Sequence, residues 1–209
     1  MIRVLIADDH TVVRKGLKQI FSVTDDIVVA DEAGSGAEAI SLIGRNSYDV
    51  VLLDISMPGR NGLDVLKQIR MLKPKLPVLI FSMHAEDEYA IRCYKAGAAG
   101  YLRKDSSTDE VIAAIKKVAR GGRYMNENLS EKLPFGWASS QEPPHGRLSD
   151  REFQIIFLLG AGKTTTEIAE ELCLSAQTIS TYKSRILEKM QMPSIAHVIR
   201  YLIENKLLP

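Results

Sequence analysis

Apolar and polar positions alternate in a regular order over the first 122 residues, and that order then stops. Near-continuous Val/Ile/Leu runs at 3–7, 27–33, 49–53, 77–82 and 99–102 predict strands. Between and after them, residues 12–21, 36–43, 62–72, 86–96 and 108–121 repeat apolar side chains at the helical period. Strands that are apolar on both faces belong to a parallel sheet covered by helices on both sides. Five consecutive βα units predict a flavodoxin-like (βα)5 doubly wound parallel sheet in the order 2-1-3-4-5.

The pattern changes after Gly121-Gly122. Residues 126–133 suit a short helix, and 134–146 hold three prolines, two glycines and no apolar period, which is linker composition. From Arg147 onward the reading is all helical. Ser149-Asp-Arg-Glu152 and Thr164-Thr-Thr-Glu167 are capping boxes that open two helices, the first reaching about 159 and the second about 172. Ser175 caps a third helix over 176–190, and Ser194 caps a fourth with an apolar stripe of Ile195, Val198, Ile199, Leu202 and Ile203. Cys173-Leu174-Ser175 joins the second and third helices at the spacing of a helix-turn-helix. The expected architecture is a doubly wound α/β domain at 1–122, a linker at 123–146 and a small all-α four-helix domain at 147–209.

Composition narrows this only slightly. With 45% hydrophobic and 25% charged residues the chain reads as an ordinary soluble protein, and its net charge of +1 gives no global sign of a nucleic-acid partner. The densest apolar stretch, 155–161, is far short of the roughly 20 residues that cross a bilayer. No signal-peptide pattern precedes the first strand, so a cytoplasmic location is expected. Cys93 and Cys173 each lie in a helical pattern and read as small buried thiols of a reducing compartment. His10, His84, His145 and His197 are scattered without metal-ligand spacing, which argues against a zinc site. Gly160-Ala-Gly-Lys-Thr164 mimics part of a phosphate-binding loop, but Phe157 stands where the first glycine belongs and a helix precedes it.

The chemistry sits at the strand ends. The first run ends at Asp8-Asp9, the third at Asp54, the fourth at Ser82, and the fifth is followed by Lys104. Open parallel sheets place their sites at the carboxyl ends of the strands. A carboxylate attacking a phosphoryl group must overcome anion repulsion, so a bridging divalent cation is required. Asp8, Asp9 and Asp54 offer hard oxygens suited to Mg2+ (or Mn2+). Lys104 supplies positive charge to the transferred oxygens, and Ser82 a hydrogen bond. The bland alternatives are helix capping for the two acids and a solvated surface lysine.

Asp8-Asp9, Asp54 with Met57-Pro58-Gly59, Ser82, Tyr101 and Lys104 together resemble the receiver domain of two-component response regulators. The resemblance implies that Asp54 accepts phosphate from a sensor histidine kinase. It implies that Asp9, Asp54 and the backbone carbonyl of Ser56 hold the metal, with Asp8 acting through bound water. It further implies that Ser82 turns toward the phosphate and Tyr101 follows it inward. Many such domains carry proline after the lysine; here Asp105 follows Lys104, which leaves the isomer of that bond open.

Arg147–Glu152, Glu167-Ile-Ala169 and the segment 174–179 resemble the LuxR-type helix-turn-helix of the NarL/FixJ regulators. Within that family the wording of 178–185 is nearest the GacA/UvrY-like group. The implied function is phosphorylation-dependent transcriptional regulation by a non-enzymatic DNA-binding protein, dimeric when phosphorylated. Ser175 and the start of the third helix suit a phosphate; Lys183, Arg185 and Lys189 form a positive stripe. Thr165, Thr166, Thr178 and Tyr182 suit DNA backbone oxygens, and Ser180, Thr181 and Ser184 stand where the family reads base edges. Serine at 180, tyrosine at 182 and the Thr165-Thr166 pair depart from the family's commoner lysine, histidine and Asn-Lys. With eight basic against seven acidic residues over 147–209, the tail is nearly neutral, so single-domain affinity should be weak and pairing on two half-sites the remedy. The rival readings are a tail that binds protein or RNA, and a hydrolase, which would need a cap domain that no insertion after Asp54 supplies.

Overall fold

In the computed structural model, residues 1–57, 62–83, 86–125, 143–205 and 207 are described. Strands β1 (Ile2–Ala7), β2 (Ile27–Ala33), β3 (Val50–Leu53), β4 (Val78–Ser82) and β5 (Gly100–Arg103) pair in parallel in the order β2-β1-β3-β4-β5. Helices α1 (Thr11–Ser22), α2 (Gly36–Arg45), α3 (Gly62–Leu72), α4 (Glu86–Lys95) and α5 (Thr108–Ala119) make the crossovers. The strands show the reason for their near-continuous apolar runs. Val4, Ile6, Val50, Leu52, Leu79, Phe81 and Leu102 pack with Leu17 and Phe21 of α1 and with Val111, Ala114, Ile115 and Val118 of α5. Residues of the other parity, Leu5, Val51, Leu53 and Ile80, point to the opposite face and are equally buried. A sheet covered on both faces has only its ends for chemistry.

The order reverses between β1 and β3, whose registers run Val4 with Val50 through Ala7 with Leu53. The two carboxyl ends therefore lie side by side, and the Asp54 N–H donates to the Ala7 carbonyl at 2.8 Å. This is the crevice at which an open parallel sheet receives a ligand.

The chain forms two compact units, Met1–Leu133 and Pro134–Pro209. The first unit continues past residue 122, because the Tyr124 N–H donates to the Ala99 carbonyl at 2.9 Å and its hydroxyl donates to Glu110 at 2.9 Å. The short helix expected at 126–133 lies outside the described residues, as do Pro58, Gly59 and His84.

In the second unit, helices α6 (Asp150–Gly160), α7 (Thr165–Glu171), α8 (Ala176–Met190) and α9 (Ile195–Glu204) follow a 3-10 turn at Pro144–Arg147. Both capping boxes form: Ser149 with Glu152, and Thr164 with Glu167. The core contains Phe153, Ile156, Ile168, Ile179, Ile186, Val198 and Leu202. Several expectations need correction. The last residues of the expected linker are folded, since His145 is buried and its Nδ1 lies 2.9 Å from the Tyr201 hydroxyl. Ser194 occupies the N-cap position of α9 but makes no capping bond; its hydroxyl pairs with His197 Nδ1 at 2.8 Å. Cys173 is exposed and outside any helix, at φ 52° in the turn between α7 and α8. A left-handed residue reverses the chain there, a place where glycine is commoner. Gly162, at φ 84°, likewise closes α6, so the stretch that mimics a phosphate loop is a helix–helix turn. No cis peptide bond occurs among the described residues, so Lys104–Asp105 is trans.

Gly62 opens α3 directly behind the Asp54 loop, and its N–H donates to the Ile55 carbonyl at 3.2 Å. A Cβ at Gly62 would lie 2.4 Å from Ile55 Cα and 2.8 Å from its carbonyl oxygen, atoms with little room to move. Gly62→Ala is expected to lower stability by about 1–3 kcal/mol, the usual cost of forcing a methyl into packed space. Gly44→Ala, where nothing lies within 4 Å, should instead stabilise α2 by about 0.5–1 kcal/mol. Urea midpoints of the two variants, followed by circular dichroism, should move in opposite directions.

Candidate functional site

Asp54 follows β3 and is 1% exposed; Asp8 follows β1 and is 2% exposed. Such burial of ionised carboxylates is tolerable only with paired charge and hydrogen bonds. Lys104, just beyond β5, supplies part of it. Its Nζ donates to Asp54 Oδ2 at 2.7 Å and lies 2.7 Å from Asp8 Oδ2, the latter contact being off the hydrogen-bonding direction. The Ser56 N–H donates to Asp54 Oδ1 at 2.9 Å, and the His10 N–H to Asp8 Oδ1 at 2.8 Å. Asp9, about three-quarters buried, completes an acidic cluster with Asp8 and Asp54.

One ammonium does not balance three carboxylates. Burial raises the Asp54 pKa, and neither the charge and hydrogen bond of Lys104 nor the Ser56 N–H reverses that rise; Asp8 adds to it. Burial alone would lower the pKa of Lys104, but Asp54 and Asp8 outweigh it and hold the amine charged above its ordinary value. Asp8 Oδ2 and Asp9 Oδ1 are buried with no hydrogen bond. Their ion-pair neighbours are the Lys104 ammonium and the His10 ring, and hard oxygens held this way beside an incompletely neutralised charge fit a divalent cation of the magnesium type.

The remaining expected residues are close in the fold but have different settings. Ser82 ends β4, is fully buried, and its carbonyl accepts the Lys104 N–H at 2.8 Å. Tyr101 is in β5 opposite Ile80 and is 4% exposed. Thus the structure gathers Asp8, Asp9, Asp54, Ser56 and Lys104 at one point, with Ser82 joined to the lysine through the backbone.

Two neighbours were missed in the sequence. His10 Nδ1 lies 3.1 Å from Asp8 Oδ1, 2.9 Å from Asp9 Oδ1 and 4.0 Å from Asp54 Oδ2. Spacing rules written for histidine clusters passed over it, although its position directly after two acids was the available signal. Arg14 donates from one guanidinium nitrogen to the Asp8 carbonyl at 2.7 Å and from Nε to Glu32 at 3.3 Å, anchoring the β1–α1 loop. An arginine one turn into an amphipathic helix carries no signal that it turns back to a loop.

In the second unit, α7 and α8 form the helix-turn-helix, and Ser175 caps α8 through a 3.0 Å bond from the Thr178 N–H. Thr166, Ser175, Ser180, Thr181, Ser184 and Arg185 are exposed. Thr165, Thr178, Tyr182 and Lys183 are half-buried, with Lys183 Nζ 3.4 Å from Thr165 Oγ1. The hydroxyls of Ser180, Thr181 and Ser184 donate to the carbonyls of Ala176, Gln177 and Ser180 at 3.0, 3.0 and 3.3 Å. Gln177, Thr178, Thr181, Tyr182 and Arg185 line a shallow hollow of about 190 Å³, with the Arg185 guanidinium 6.0 Å from the Tyr182 ring centre. Lys189 stands apart from this group. Its Nζ pairs at 2.7 Å with Glu152, a buried carboxylate that also accepts the Ser149 N–H at 2.7 Å. That ion pair ties the end of α8 to the start of α6.

The response regulator receiver domain model matches residues 4–116, and the model of bacterial regulatory proteins of the luxR family matches residues 146–202. The chain is 34% identical over 194 residues to the response regulator UvrY of Escherichia coli K12, covering 92% of this chain and 89% of that one. It is 35% identical over 195 residues to the response regulator GacA of Pseudomonas protegens, covering 93% and 92%. Among solved structures, RcsB of Salmonella enterica serovar Typhimurium bound to the rprA promoter superposes with a TM-score of 0.67 at 24% identity, covering 96% of this chain and 98% of that one. The chain belongs to the two-component response regulators of the NarL/FixJ type, with a receiver domain followed by a LuxR-type DNA-binding domain.

Proposed function

We propose that Asp54 accepts a phosphoryl group from a sensor histidine kinase, and that its phosphorylation controls homodimerisation and promoter binding by α8 in the bacterial cytoplasm. The observation that carries this reading is the buried Asp54 carboxylate at the sheet's switch point, bonded to Lys104 and crowded by Asp8. An Asp54 oxygen attacks phosphorus, the bond from phosphorus to the donor breaks, and the donor leaves with its electron pair. Asp8, Asp9 and Asp54, with the Ser56 carbonyl, would hold Mg2+ or Mn2+, which offsets the repulsion between carboxylate and phosphate. Lys104 and Ser82 steady the transferred oxygens, and Tyr101 moves with Ser82. Among the described residues no helix is long and apolar enough to cross a membrane.

At the DNA end, Lys183 and Arg185 supply the positive charge, and Thr165, Thr166, Ser175, Thr178 and Tyr182 the neutral contacts to phosphate oxygens. Because Ser180, Thr181 and Ser184 give their protons to α8 carbonyls, they turn lone pairs outward. Acceptors of this kind suit the amino groups of adenine or cytosine at the major-groove edge. Promoter DNA is favoured over an RNA or protein partner because the exposed hydroxyls and Arg185 lie along one helix of a helix-turn-helix. The linker that separates the two functions lies within 123–146 and is shorter than that range, because Tyr124 bonds to the first unit and Pro144–Arg147 fold with the second.

Three outcomes test this reading. Acetyl phosphate with magnesium should add a labile mass of about 80 Da, that of one phosphoryl group, to the wild type and none to Asp54→Asn; intact-mass spectrometry that finds no adduct removes the proposed switch.

The raised Asp54 pKa fixes a second sign. Its folded value lies above the ordinary 3.8, so the stability it contributes is complete below 3.8 and is lost as pH rises through the folded value. In metal-free buffer Asp54→Asn should therefore be more stable than wild type at pH 7, with the gap closing as pH falls toward 4. Urea midpoints across that range would show it, and a less stable variant at pH 7 contradicts the crowding argument.

Third, Lys183→Ala and Arg185→Ala should weaken binding to duplex DNA and each lower the salt slope by about 1. Lys189→Ala should chiefly destabilise the second unit, since it strands Glu152. Fluorescence anisotropy over a salt series, beside thermal melts, separates the two classes.

A further inference from the structure

His10 occupies a position where its side chain does not cap the helix it begins. It is the N-cap residue of α1, yet its ring makes no capping bond and the first turn of that helix holds no acid. Serine, threonine, aspartate or asparagine at this position would cap the helix better. The imidazole instead turns toward the acidic cluster and remains 60% exposed, open to an ion arriving from solvent.

The spacing of the donor atoms is informative. Ligands about 2.1 Å from a small octahedral cation lie about 3.0 Å apart when adjacent and about 4.2 Å apart when opposite. Around His10 Nδ1 the separations are 2.9 Å to Asp9 Oδ1, 3.1 Å to Asp8 Oδ1 and 4.0 Å to Asp54 Oδ2. One donor atom from each of the four residues falls within 4.8 Å of the others. Lys104 pairs with the Oδ2 atoms of both Asp8 and Asp54, so the oxygens nearest His10, Asp8 Oδ1 and Asp9 Oδ1, are the ones it leaves to the imidazole, while Asp54 Oδ2 is shared with the ammonium.

We propose that His10 Nδ1 is a ligand of the divalent-cation site and shifts its preference from Mg2+ toward transition-metal ions. This rests on the reading of Asp8, Asp9 and Asp54 as a cation site and adds to it a nitrogen donor. Magnesium prefers oxygen ligands and gains little from an imidazole, whereas Co2+, Ni2+ and Zn2+ gain much and Mn2+ is intermediate. The receiver of this protein is therefore a carboxylate site with one borderline-soft ligand. Its phosphorylation is supported by a wider range of metals than oxygen donors alone would accept.

The test uses the full-length protein loaded with Mn2+ and, separately, titrated with Co2+ and Mg2+. Pulsed electron paramagnetic resonance of the Mn2+ form should show hyperfine coupling to a directly bound nitrogen-14, absent from His10→Ala and present in His197→Ala. His10→Ala should weaken Co2+ by at least about tenfold, the lower end of what losing even an outer-sphere partner costs a metal site, while leaving Mg2+ affinity nearly unchanged. His10→Asn, which caps α1 well, should match His10→Ala in metal preference while exceeding it in melting temperature, which separates ligation from folding. Metal bound without nitrogen coupling, or an equal loss of Co2+ and Mg2+ in His10→Ala, overturns the role of His10 and leaves the oxygen site standing. No binding of any divalent ion to the wild type overturns both.

Discussion

The structure turns on a charge imbalance held out of water. Asp8 and Asp54 are almost fully buried, Asp9 stands beside them, and Lys104 is the ammonium they share. Water cannot screen these groups, so their mutual repulsion is stronger than on a surface. A protein tolerates that only where the surrounding backbone fixes the groups rigidly. Here β1 and β3 fix two of the acids through adjacent registers, Gly62 lets α3 close against Ile55, and Arg14 clamps the Asp8 carbonyl. The proposed cation and phosphoryl group would each relieve or exploit an imbalance already present.

Much of this is legible in the sequence. All five strands and all nine described α-helices lie where the periodicity put them, with ends differing by a few residues. The reason is physical: strands buried on both faces admit few polar residues, so the carboxyl ends of β1 and β3 are marked by their first acids, Asp8 and Asp54. Both capping boxes were equally plain, because reciprocal side-chain bonds need a fixed spacing.

What escaped was whatever depended on side-chain direction. His10 follows Asp8-Asp9 in the chain, but only the geometry of the β1–α1 loop turns its ring back to them. Lys189 looked like one more member of a positive stripe along α8. A buried Glu152, 37 residues away in sequence, claims it instead. Ser194 had a capping residue's identity and position, yet His197 three residues later captures its hydroxyl. For Lys189 the local signal was overridden by a partner distant in sequence, and for His10 and Ser194 by a near neighbour whose side-chain direction the sequence does not state.

The Glu152–Lys189 pair changes how the DNA-binding unit should be understood. Residues 147–209 carry eight basic and seven acidic side chains, so a charge count alone gives the domain almost no field with which to attract a polyanion. Removing Lys189 from the contact surface lowers that field further. What is left is a helix whose exposed face presents Arg185 among the hydroxyls of Ser180, Thr181 and Ser184. A surface with many neutral contacts and few charges releases few counterions, so its affinity for arbitrary duplex is low and its discrimination rests on geometry. Such a domain gains most from being doubled, because a second copy multiplies a weak affinity without adding nonspecific attraction. The near-neutral tail and the overcharged receiver are therefore complementary. In the proposed reading, the first makes binding depend on pairing, and the second provides the chemically controlled imbalance that governs it.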